Sequence, residues 1–136
     1  MNEAALERTL RVHAVHHYAR AGASHEANRV EFGAVAEPHA HDYVVTVTVR
    51  GAVDADGFIV DLGALDRVLA DEVGALDGGD LNERIPEVRA GRLQPSTEVI
   101  ARWLFDRLEP RVPGPARLVR VRVAEGPTLA AEYPAR

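Results

Sequence analysis

The sequence contains no cysteine. That absence removes disulfides, thiolate metal ligands and a thiol nucleophile together, so any chemistry must run on His, Asp, Glu, Ser, Thr, Tyr or a bound metal. No stretch approaches the ~20 apolar residues needed to cross a bilayer. The segment from Met1 to Arg11 is polar and mixed in charge, unlike a signal peptide. Positive charge is also scarce as a patch: the net charge is −5, and Arg117, Arg120 and Arg122 alternate with apolar residues as on the solvated face of a strand. Neither nucleic acid nor membrane is expected as a partner. These exclusions leave a soluble, cytoplasmic protein whose partner is a small molecule.

What is present suffices for one domain over residues 1–136. The chain is 46% apolar, enough to bury a core, and it shows no repeat, low-complexity tract or linker. Four segments alternate with period two and two carry helical periodicity. The first strand is predicted from about Thr9 to Tyr18, with Leu10, Val12, Ala14, His16 and Tyr18 on one face. The second is predicted from about His41 to Arg50, where Val45, Val47 and Val49 share a face with His39, His41 and Tyr43. Asp61 is a candidate N-cap for a helix striped by Leu62, Leu65, Val68, Leu69, Val73 and Leu76, which Gly78 and Gly79 stop. Ser96 or Thr97 caps a second helix with Val99, Ile100, Trp103, Leu104 and Leu108 in its stripe, and Pro110 bars its extension. Strands over about Arg117–Glu125 and Thr128–Tyr133 complete a ββααββ order. The expectation is an α+β fold: a four-stranded antiparallel sheet with two helices on one face.

The chemistry-bearing pattern is histidine. His39 and His41 stand two apart at the start of a strand, so both imidazoles project to the same side. His16 continues the apolar stripe of the first strand. If the strands are neighbours, three neutral imidazoles converge, and a catalytic zinc needs three protein ligands and one open position. Buried imidazoles without partners are costly, which a metal would relieve. A lone His-x-His pair is often mere surface polarity; the shared phase with apolar stripes separates this case. Three histidines also suit other divalent transition metals.

Glu125 follows Val119, Val121 and Val123 in phase, as an exposed strand end or as an anchor for a ligand's N–H groups. The connection from Ala19 to Pro38 is long for a link and reads as a functional loop holding His25 and Glu37.

In order along the chain, these pieces resemble the 6-pyruvoyl-tetrahydropterin and 6-carboxy-tetrahydropterin synthase family. Val12-His13-Ala14-Val15-His16 is similar to that family's Phe-x-Ala-Ala-His, and His39-Ala40-His41-Asp42-Tyr43 to its His-Gly-His-x-Tyr. Gly57 to Leu62 resembles Gly-x-Val-x-Asp-Phe, Leu76 to Asn82 resembles Leu-Asp-His-x-x-Leu-Asn, and Pro95-Ser96-Thr97-Glu98 resembles Pro-Thr-x-Glu. Tyr133 fits the closing tyrosine. The resemblance implies the tunnelling fold (T-fold), homo-oligomers that are commonly hexamers with sites between subunits, and zinc on His16, His39 and His41. It implies a pterin-class substrate bound by Glu125, Ser96 and Thr97.

The departures are as specific. The family's catalytic cysteine precedes the His-x-His pair, where this chain reads Gly33-Ala34-Val35-Ala36, and its catalytic histidine stands at Gly78. Positioned acid–base groups contribute about 10²–10⁴-fold, so proton transfer falls to replacements among His25, Glu37, Asp77 and Asp80. The expectation is a divergent zinc enzyme of lyase or cyclase type, with the metal as Lewis acid in elimination, aldol-type, isomerisation or cyclisation chemistry on a small carbonyl or hydroxyl substrate. The alternatives are 6-carboxy-tetrahydropterin synthesis from dihydroneopterin triphosphate with relocated groups, and a non-catalytic pterin- or metal-binding subunit. A cupin, suggested by Gly33 and His39-x-His41, fails for want of a glutamate near Val45 and a later histidine.

Overall fold

The structure, a computed structural model, describes residues 2–136. Its elements run β1 (Glu3–His16), α1 (His25–Phe32), β2 (His39–Ala52), α2 (Leu62–Glu72), β3 (Gly79–Asp80), α3 (Leu81–Arg84), α4 (Pro86–Arg89), α5 (Thr97–Leu108), β4 (Arg117–Gly126) and β5 (Leu129–Tyr133). The strands form one sheet in the order β3-β1-β2-β4-β5.

The clearest period-two patterns build the longest ladder. β1 and β2 pair antiparallel from Glu3↔Ala52 at one end to His16↔His39 at the other. β4 adds to β2 through Val45↔Val123 and Val47↔Val121, and β5 closes that edge against β4. One face of this sheet carries Val12, Ala14, Tyr43, Val45, Val47, Val49, Leu118, Val121 and Val123, all buried. The helices α2 and α5 cover it with Leu65, Leu69, Ile100, Leu104 and Leu108. Each such side chain contributes about 1.5–3 kcal/mol on full burial, so this layer is the main source of stability. The opposite face carries Thr9, Arg11, His13, Thr46 and Arg122, as alternation demands.

Both main helices start where their caps were expected. The Asp61 carboxylate accepts from Ala64 N and the Ser96 hydroxyl oxygen from Val99 N. They are tied together by Glu72, a nearly buried carboxylate that accepts hydrogen bonds from Arg107 and Arg111. Burial alone would push its pKa up, but the two guanidiniums outweigh this and hold it below the usual range.

Three expectations are corrected. The sheet has five strands and is mixed, because β3 joins β1 in parallel through Ala14↔Gly79 and Val15↔Asp80. A two-residue strand has too little length for alternation to register. The expected loop from Ala19 to Pro38 contains α1, capped by Ser24 through Ala27 N. It buries only Asn28, so it has no apolar stripe to detect. Finally, β1 starts at Glu3 and ends at His16 rather than Tyr18. Beyond His16 the ladder is continued by side-chain amides: Asn82 bridges the main-chain N–H and C=O of His17, and Gln94 bridges those of Ala19.

Candidate metal centre

The register of β1 against β2 assembles the site. His16 lies directly opposite His39, and Ala14 opposite His41, so the three histidines occupy adjacent positions on the helix-covered face. One ligand atom from each lies within 4.8 Å of the others. Ring centroids are 4.5 Å apart for His16–His39 and 5.0 Å for both His16–His41 and His39–His41. His16 is fully buried, at 0% exposure, whereas His39 and His41 are half-buried.

Two main-chain carbonyls decide which nitrogen of each ring is free. His16 Nδ1 lies 2.8 Å from Pro95 O, and His39 Nδ1 lies 2.8 Å from Glu37 O. A carbonyl can only accept, so both Nδ1 atoms carry the proton and both Nε2 atoms present lone pairs. This is the arrangement of metal-bound histidines, whose second nitrogen is held by a carbonyl or carboxylate. Burial, opposed by the Pro95 bond and aided by His39 and His41, lowers the His16 pKa to about 4 and keeps the ring neutral. Lone pairs aimed at a shared point repel unless a cation lies between them. The donor set therefore fits a divalent transition metal, and three imidazoles suit zinc.

Around the triad stand groups that periodicity did not single out as functional. The Tyr43 hydroxyl sits 3.3 Å and 3.4 Å from the two ring nitrogens of His16. Burial, with the Glu125 charge, pushes the Tyr43 phenol well above its usual pKa, so it stays a neutral O–H. Tyr18 stacks edge-on to His16 at 5.3 Å, and burial together with Glu125 and Glu98 raises its pKa as well. Both tyrosines follow the histidines in phase on their strands, a signal the sequence already carried. The carbonyl of Pro95 had no such signal, since it reaches His16 across 79 positions.

The remaining candidates are dispersed around this centre. Glu125 borders it directly, with Oε1 at 3.2 Å from His41 Nε2 and 3.6 Å from His16 Nε2. Ser96 is the cap of α5, and Thr97 is buried with its hydroxyl donating to Glu98 at 3.2 Å. Asp77 accepts from the main-chain N–H of His13 at 2.8 Å, and Asp80 caps α3 through Asn82 N. Next to Asp77, Gly78 donates to His13 O at 2.7 Å and has φ +74°. The loop is thus committed to a left-handed conformation that glycine tolerates and histidine resists. His25 and Glu37 form a separate pair at 2.9 Å, with Arg29 also on Glu37 at 2.7 Å. The Arg29 hydrogen bond, more than His25, holds the Glu37 carboxyl below its ordinary range. The same Glu37 fixes His39 through its main-chain oxygen.

A T-fold sheet with three imidazoles gathered at one end of its central ladder defines the class of protein. The comparisons give the family. The model of the 6-pyruvoyl tetrahydropterin synthase family matches residues 6–136, and the chain belongs to that family. It is 31% identical over 90 residues to the dihydroneopterin monophosphate aldolase of Pyrococcus furiosus, covering 66% of this chain and 72% of that protein. It is 30% identical over 108 residues to a probable 6-carboxy-5,6,7,8-tetrahydropterin synthase of Halobacterium salinarum, covering 73% and 72%. Among solved structures, the 6-pyruvoyl tetrahydropterin synthase of Caenorhabditis elegans superposes with a TM-score of 0.85 at 25% identity, over 98% of this chain and 96% of that one.

Proposed function

We propose that this chain is a zinc-dependent lyase-type enzyme acting on a small pterin-class substrate, with His16, His39 and His41 holding the metal. The observation that carries this reading is the pair of carbonyl-fixed tautomers that turn the Nε2 atoms of His16 and His39 inward. A divalent cation there supplies Lewis acidity toward a substrate carbonyl or hydroxyl oxygen.

The chain's own residues supply the rest. Tyr43 and Tyr18 wall the buried side of the triad and keep water away from His16. His25 and Glu37 are the proton-moving pair: they are exposed, in contact, and joined to the centre through the Glu37 carbonyl. A neutral His25 takes a proton from a substrate hydroxyl, and the Glu37 carboxylate steadies the imidazolium that results. Asp77 and Asp80 hold main-chain N–H groups, at His13 and Asn82, and so position the turn beside β1. Ser96 and Thr97, at the start of α5, and Glu125, at the end of β4, frame the substrate side. Sites shared between subunits of a homo-oligomer, a hexamer by family resemblance, accord with the exposure of His25 and Glu37.

Aldol-type cleavage is the preferred chemistry, because it needs one proton removed from a hydroxyl and one returned to carbon, with no thiol. The similarity to a dihydroneopterin monophosphate aldolase supports it. Formation of a 6-carboxy-tetrahydropterin from dihydroneopterin triphosphate is the second reading, supported by the similarity to the probable synthase of that type. Parallel assays on dihydroneopterin monophosphate and triphosphate decide between them. Turnover of the monophosphate with release of a two-carbon aldehyde supports the first. Stoichiometric metal with ligand binding but no turnover of either would instead make the chain a binding subunit.

A further inference from the structure

The Glu125 carboxylate has only imidazole nitrogens for close polar partners among the described residues. Its Oε1 is 3.2 Å from His41 Nε2 and 3.6 Å from His16 Nε2, and its side chain is 17% exposed. No arginine, lysine or main-chain N–H answers its charge. The His16 contact cannot be a hydrogen bond, since the ring's one proton is on Nδ1 toward Pro95 O. An anionic oxygen and a bare lone pair therefore face each other in a largely desolvated place. Ligand atoms at ~2.0–2.1 Å from a tetrahedral zinc lie about 3.3–3.4 Å from one another. The two distances observed for Glu125 bracket that edge length.

The geometry points to Glu125 as the fourth protein ligand of the metal in the substrate-free chain, an exchangeable carboxylate that closes the centre until substrate displaces it. This inference rests on the metal reading above. The register supports it: β4 pairs with β2 through Val45↔Val123, so two residues further on Glu125 arrives beside Tyr43, at the edge of the triad. A zinc with four protein ligands is closed to a substrate oxygen, whereas an open fourth position is what catalysis requires. Substrate binding must then move Glu125 off the metal, and ring N–H groups of a pterin are donors that an expelled carboxylate can accept from. One side chain would thus guard the empty centre and recognise the occupant.

The test is metal binding, read without turnover. Wild-type chain and Glu125→Gln are stripped of metal and titrated with Co²⁺ against a chelator, and their visible spectra are recorded. A direct ligand should matter at least as much as the outer-shell partners whose loss costs 10–100-fold in affinity. Glu125→Gln is expected to bind Co²⁺ about tenfold or more weaker, with an altered visible spectrum as water replaces the carboxylate. Neopterin added to the Co²⁺-loaded wild type is expected to shift its spectrum in the same sense. If Glu125→Gln does not fold, Glu125→Asp, which withdraws the carboxylate by one methylene, carries the same expectation. Affinity within twofold of wild type and an unchanged spectrum would overturn the role of Glu125 while leaving the three-histidine centre standing. Failure of the wild type to bind Co²⁺ would overturn both.

Discussion

The two ends of the β1–β2 ladder are built from the same alternation and serve opposite purposes. At the His16↔His39 end, every inward position is polar and each group has a specified partner: Pro95 O, Glu37 O, Tyr43 and Glu125. At the Glu3↔Ala52 end the surroundings are apolar, with a cavity of about 530 Å³ lined by Ala52, Phe58, Ile59, Val60, Leu62 and Pro115. Phe58 there is 63% exposed. The larger cavity has no convergent polar groups, and the chemistry lies at the other end of the sheet. Cavity size therefore does not locate function in this molecule; fixed tautomers and a facing carboxylate do.

The largest effect that would break this contrast is on the triad. His39→Ala or His16→Ala should abolish stoichiometric metal and turnover together, whereas Phe58→Ala should leave both within about twofold of wild type. Metal analysis and assay of the three variants check this, and loss of metal in Phe58→Ala would reverse the assignment of the two ends.

Acid should separate the ends next. The folded-state pKa of His16 is lowered to about 4, against ~6.5 for an unperturbed imidazole. The unfolded chain therefore binds the extra proton first, and the metal-free protein should lose stability as pH falls from about 6.5 toward 4. Urea midpoints across that range, compared with His16→Phe, measure the contribution. A midpoint as insensitive to pH as that of the variant would refute it.

A smaller effect belongs to the layer both ends share. Glu72→Gln removes the charge that binds Arg107 and Arg111 and should cost about 1–3 kcal/mol in denaturant unfolding. Since the Glu72 pKa is depressed, its contribution is present above the ordinary carboxylate range and disappears as pH falls through the folded value. The smallest effect concerns the missing histidine. Gly78→His should cost about 1 kcal/mol, because φ is +74°, and should not raise turnover; a gain of tenfold or more would show that the loop still accepts the family's catalytic histidine.

The parts of this molecule legible in the sequence are those whose side chains advertise their surroundings by period. Val45, Val47 and Val49 placed β2 in the core, and the phase of His16, His39 and His41 with such stripes placed the triad. The caps at Asp61 and Ser96 read correctly because a short polar side chain before an apolar stripe has a local physical cause. Illegible were features fixed by main chain or by distant partners. β3 is two residues long, α1 has no apolar face, and Asn82 and Gln94 extend the sheet from 65 and 75 positions away. Glu125 was legible as a residue in phase but not as a neighbour of His41, because that depends on how β4 registers against β2.

The most direct measurement is the metal content of the purified chain after equilibration with zinc and removal of free ion. One zinc per chain, lost in His39→Ala, is the expected result. A folded wild-type chain that retains none would contradict the assignment of the three histidines.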